Sequence, residues 1–116
     1  MWQTINLTNY VDPYFIDIQG VQFNFSAWIG GYIDQDDNAR ASLSFFDQLN
    51  QPIGSGVTIG PVLAIDRVNI TLLLFRQTQG WLPAGTRFIT VTVTITRVFG
   101  SISNGDIDNI VLTLYL

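Results

Sequence analysis

The sequence predicts an all-β fold: an antiparallel β-sandwich formed as a single domain over residues 1–116. Three observations carry this prediction. Apolar and polar residues alternate with period two along several stretches, the pattern of strands with one buried face. Clusters of Gly, Pro, Asn and Asp recur between those stretches and supply turn chemistry. No segment carries the 3.6-residue periodicity of a long amphipathic helix. Seven short strands with turn signals between them suggest a sandwich, and several have enough apolar surface on one face to meet a second sheet.

The elements follow in chain order. A first strand is expected over residues 2–8. Residues 11–19, VDPYFIDIQ, can hold one short helical turn after Pro13, where proline's fixed φ suits a helix start. Residues 21–29, VQFNFSAWI, set Val21, Phe23, Phe25, Ala27 and Ile29 against Gln22, Asn24, Ser26 and Trp28. Gly30 and Gly31 then read as a bulge or strand exit. Strands over 40–46 and 54–60 are separated by DQLNQPIGSG, which has the chemistry of a hairpin connection. A fifth strand is expected at 69–76, and QTQGWLPAGT reads as a turn-rich stretch that places Trp81 in a loop. Residues 87–97, RFITVTVTITR, alternate aliphatics with threonines, and NIVLTLYL closes the chain with Ile110, Leu112, Leu114 and Leu116 on one face.

Composition narrows the chemistry. The chain has no Cys, His, Glu or Lys; its nine acids are all Asp and its five bases all Arg. Thiolate, imidazole and Schiff-base chemistry are therefore excluded, and so is a Ser–His–Asp arrangement. A net charge of −4 without a basic tract argues against nucleic-acid partners. No continuous apolar run approaches the length of a membrane-spanning helix, so membrane insertion is not expected. Absence of Cys does not fix the compartment. Three N-x-Ser/Thr sequons, at Asn6, Asn24 and Asn69, add weak support for a secretory route.

The acids are unevenly placed. With successive strands antiparallel, the loops over 30–39, 60–68 and 98–108 fall at one end of the sandwich. They carry Asp34, Asp36, Asp37, Asn38, Asp66, Asn104, Asp106, Asp108 and Asn109, with Arg40, Arg67 and Arg97 as partial compensation. Two readings are open. Asp and Asn are ordinary turn residues because they bond their own backbone. Alternatively, a hard cation such as Ca2+, which takes six to eight oxygen ligands, gathers them. Neither cluster has the Gly and Glu positions of an EF-hand loop. Carboxylate pairs such as Asp36 with Asp106, or Asp66 with Asp108, are the arrangement that glycoside hydrolysis uses. Nothing in the sequence marks an Asp as buried against an aromatic wall, so no catalytic residue is assigned and the chain is expected not to be an enzyme.

Aromatic residues are the second resource. Trp28 lies on the polar register of its strand, and Tyr32 and Trp81 fall outside the inward pattern. Exposed rings stack on the apolar face of a sugar, and Asp34, Arg40 and Asp66 can bond its hydroxyls. Equally, Trp28 can cover an edge of the core and Trp81 can plug one end of the sandwich.

The strings FNFSAWIGGYIDQDDNARASLSFFD, GPVLAIDR, PAGTRFITVTVTITR and NGDIDNIVLTL resemble secreted or surface modules with a galactose-binding-like jelly-roll fold. The last string is also similar to the closing strand of several carbohydrate-binding module families. The resemblance implies that Asp108 and Asn109, preceded by Asp106, match a pair that helps hold a structural Ca2+. It likewise implies that Asp36, Asp37 and Asn38 match an acidic loop. Relatives of this kind carry a further N-terminal portion ahead of the first strand. Its lack here would expose a sheet edge and favour pairing with another copy or a neighbouring domain.

Together these readings give an expected function: a non-catalytic, lectin-like carbohydrate-binding module, extracellular or on a cell surface. Its metal ligands would be Asp36, Asp37, Asn38, Asp106, Asp108 and Asn109. Its sugar contacts would be Trp28, Tyr32, Asp34, Arg40, Asp66 and Trp81. The alternative is a structural or adhesive sandwich that associates with protein and binds no small ligand.

Overall fold

The computed structural model describes residues 2–32, 34, 36–96 and 106–116. The chain is an antiparallel β-sandwich, as the alternation predicts. Seven strands run β1 (Trp2–Asn6), β2 (Gln22–Gly31), β3 (Asn38–Phe46), β4 (Pro52–Ile59), β5 (Leu72–Trp81), β6 (Phe88–Thr96) and β7 (Asp106–Tyr115). One sheet has the order β1-β6-β3-β4 and the other β5-β2-β7. Among the described strands, β3 and β4 are consecutive neighbours in one sheet, and the other consecutive strands belong to different sheets. The helical turn after Pro13 is α1 (Pro13–Asp17), and the Asp12 carboxylate caps it by accepting the Tyr14 N–H at 2.9 Å.

The core is the set of residues that the period-two pattern turns inward. Phe23, Phe25, Ala27 and Ile29 of β2 face Ala39, Ala41, Leu43 and Phe45 of β3, and all eight are buried. Ile89 and Val93 of β6 complete the four-stranded side. Phe23 and Phe45 meet across the layers with ring centroids 5.6 Å apart.

The closing strand departs from simple alternation. The register slips between Ser26 and Trp28 of β2, where Asn109 of β7 takes φ 52°. Asn tolerates this left-handed conformation better than most residues. The bulge adds one residue, so Ile107 before it and Ile110, Leu112 and Leu114 after it all pack on the core. Leu116, expected on that face, is exposed at the end of the chain. The free edges of β1 and β7 bound an apolar cavity of about 560 Å3, with Ile5, Val11, Leu112 and Leu114 among its walls. No helix among the described residues is long and apolar enough to cross a membrane.

At the end opposite the acid-rich loops, Asp17 and Arg87 form an ion pair at 2.7 Å, and Asp17 also accepts the Gly85 N–H at 2.9 Å. The Arg87 hydrogen bond, followed by the Gly85 N–H, holds the Asp17 carboxyl below its ordinary value of 3.8. A depressed carboxylate contributes stability above its unfolded-state pKa and loses it as pH falls toward the folded value. Asp17→Asn should therefore remove part of the acid-induced destabilisation that develops below about pH 4. Urea midpoints of both proteins across that range check this. An identical acid loss in both would show that the pair is energetically silent, as many exposed pairs are.

Candidate functional site

Strand pairing assembles the acid-rich end as the alternation of loops predicts. Gly31 at the end of β2 pairs with Leu72 at the start of β5, and Gly30 pairs with Asp106 at the start of β7. Asn38 opens β3 opposite Thr96, which closes β6. Asp34, Asp36, Asp37, Asp66, Asp106 and Asp108 thus belong to one end. Asn104 and Arg97 lie outside the described residues. Asp106 and Asp108 are strand residues rather than loop residues, because β7 begins at Asp106.

Most of these polar groups hold backbone. The Asp36 carboxylate accepts the Ala64 N–H at 2.9 Å, tying the β2–β3 loop to a 3-10 turn over Ala64–Arg67. Asp66 accepts the Leu63 N–H at 3.0 Å and closes the start of that turn. The Asn38 side chain donates to the Asp36 carbonyl at 3.0 Å. Asp108 accepts the Asn109 N–H at 2.8 Å, so the Asp-Asn pair shapes the bulge. Asp37 and Arg67 are fully buried, and Arg67 Nη1 donates to the Ile70 carbonyl at 2.6 Å.

Among the described residues, no group of three or more acidic side chains converges on one point as metal ligands would. Calcium binding at this end is tested by thermal unfolding of the EDTA-treated protein with and without millimolar CaCl2: an ion at a hundredfold excess over its dissociation constant raises the midpoint by roughly ten degrees, and an unchanged midpoint would remove the metal from this end.

The predicted sugar-contact residues do not form one cluster. Arg40 is exposed on β3, in the four-stranded sheet, whereas Trp28 is on β2 in the three-stranded sheet. Alternation turned both outward, but they face outward from different layers. Asp34, Asp66 and Tyr32 are exposed at the acid-rich end. Trp81 is not in a loop: β5 extends to it, and it is 56% exposed opposite Gln22. It lies at the far end of the sheet from the acids.

The three-stranded sheet presents an outer face that the sequence reading had not assembled. Its cross-strand rows are set by the register. Phe75, Trp28 and Asp108 form one row; Gln77, Ser26 and Val111 the next; then Gln79, Asn24 and Thr113; and finally Trp81, Gln22 and Tyr115. Trp28 and Phe75 touch, with ring centroids 5.4 Å apart and planes inclined by 58°, and both stay more than 40% exposed. Between the aromatic rows, Asn24 Nδ2 donates to Gln77 Oε1 at 3.4 Å. Phe75 is not singled out by the sequence reading. The signal was present as F-R-Q-T-Q-G-W, with aromatics and glutamines all at one parity.

No protein-family model matches the chain, and no curated protein matches it. The fold, however, recurs in a solved structure. The enzymatically active domain of tailspike protein 4 of bacteriophage CBA120 superposes with a TM-score of 0.64 over 98% of this chain, at 18% identity. This chain spans only 13% of that protein's length. The match shares the all-β sandwich; the absence of a family match leaves the galactose-binding-like motifs without independent support. It also corrects the expectation of a non-enzyme. The matched structure is described as enzymatically active, so a sandwich of this form occurs within an enzyme.

Proposed function

We propose that this sandwich is the carbohydrate-contacting part of a glycan-processing protein, in the manner of a tailspike domain. The observation that carries the reading is the exposed Trp28–Phe75 pair, bordered by amide and hydroxyl side chains. A pyranose has an apolar C–H face that stacks on such rings and equatorial hydroxyls that bond Asn, Gln, Ser and Thr. Water competes well for either contact alone; a face that offers both at once recovers more of the desolvation cost. The tailspike likeness supports the reading at the level of the fold. An extracellular or surface setting follows if the parent protein acts on surface glycans.

Two assays test it on the same purified neutral polysaccharides, namely glucan, mannan and galactan. The first is retention in native gels containing each polymer; the second is release of reducing ends. Retention by at least one polymer is expected, and Trp28→Ala should weaken it about tenfold or more, the loss typical of a buried aromatic anchor. No retention by any of them, with no release of reducing ends, would overturn the reading.

A further inference from the structure

We infer that the carbohydrate lies as an extended, uncharged chain along the strand direction of the β5-β2-β7 sheet, bridging two aromatic subsites. This rests on the carbohydrate reading above and adds its geometry. One subsite is the Trp28–Phe75 ring pair; the other is the row in which Trp81 and Tyr115 flank Gln22 from the two outer strands. Six residues of β2 separate the rows, which at the rise of a strand is roughly 20 Å. A single sugar ring cannot reach both, whereas an oligosaccharide several rings long can.

The arrangement of the face chooses among occupants. Protein interfaces place apolar and aromatic residues at the centre and polar ones at the rim. Here the order is reversed: Asn24, Gln77 and Gln79 occupy much of the middle, and the rings stand at the two ends. A ligand that repeats a stackable face and a set of hydroxyls along its length suits that order. Charge narrows it further. The only ionised side chains that the register puts on these rows are Asp108 and, one row beyond, Asp106, and the chain has no Lys. An anionic polysaccharide would meet repulsion without a compensating cation.

The test is titration calorimetry with the disaccharide-to-octasaccharide series of neutral glucan, mannan and galactan, and with alginate as the anionic comparator. The octasaccharide of the preferred series should bind at least about tenfold tighter than its disaccharide, as expected when a second contact becomes intramolecular. Trp81→Ala should remove that advantage, bringing the octasaccharide to within about twofold of the disaccharide in the same variant; a thermal midpoint near the wild type's would show that the variant is folded. Affinity independent of length, or tighter binding of alginate, would overturn the extended uncharged ligand while leaving carbohydrate recognition standing. Equal loss for short and long chains in Trp81→Ala would overturn the two-subsite geometry. Binding of no oligosaccharide at any length would overturn both readings.

Discussion

Replacing Gly30 with alanine is expected to be the most damaging small substitution in the sandwich. A Cβ placed there would collide with the Leu72 carbonyl oxygen and lie within 3 Å of two further backbone atoms of β5. No side-chain rotation relieves contacts with backbone, so β2 and β5 must separate where they pair. Overpacking of this kind costs about 3 kcal/mol or more. Against a total stability of roughly 5–15 kcal/mol, this is a large share. The thermal midpoint should fall by roughly ten degrees or more. Gly85→Ala is a useful comparison. Gly85 takes a positive φ, 88°, but a Cβ there meets no atom within 4 Å. Its cost should be confined to backbone strain, of order 1–2 kcal/mol. If Gly30→Ala melted like the wild type, the close approach of the two strands would be wrong.

Arg67→Ala should be comparably severe, for a different reason. The guanidinium is fully buried beneath the acid-rich end and holds the Ile70 carbonyl. It also packs against Gly31, where an added Cβ would lie 3.1 Å from Nη2. Truncation leaves a long empty channel and a carbonyl without its donor. Together these cost about 3–5 kcal/mol. Arg67→Lys should recover little, because a lysine ammonium cannot reproduce the planar fork. Urea unfolding followed by tryptophan fluorescence measures both variants. A loss below 1 kcal/mol in Arg67→Ala would show that the acid-rich end does not depend on this residue.

These two expectations depend on features that the sequence disclosed unequally. The strands were legible wherever one face alternates cleanly, as in Phe23-Asn24-Phe25-Ser26-Ala27 and in Val91-Thr92-Val93-Thr94. Burial of the apolar members of each run dominates the local choices. The acid-rich end was legible too, because antiparallel strands force alternate loops together. What each acid does there was not. Asp36 bonds Ala64, 28 residues away, and no local pattern announces such a partner.

The binding face was only half legible. Gly80 read as a turn residue and ended the fifth strand too early. In the fold it continues the strand, and its missing side chain makes room for Phe23, whose ring lies 3.0 Å from where a Cβ would stand. That one substitution of space for side chain moved Trp81 from an imagined loop onto the sheet. Arg40 shows the complementary limit: period two tells outward from inward but not which sheet a strand joins. Strand pairing decides that, and it places Arg40 on the opposite layer from Trp28.

The most direct test of the account is calorimetric titration of the wild type, Trp28→Ala, Arg40→Ala and Asp34→Ala with whichever neutral polysaccharide retains the protein best. The three substituted residues are exposed, at the three-stranded face, the four-stranded face and the acid-rich end. Trp28→Ala is expected to weaken binding about tenfold or more, whereas Arg40→Ala and Asp34→Ala stay within about twofold of the wild type. Unchanged binding in Trp28→Ala, with a large loss in Arg40→Ala or Asp34→Ala, would contradict it and move the site off the β5-β2-β7 face.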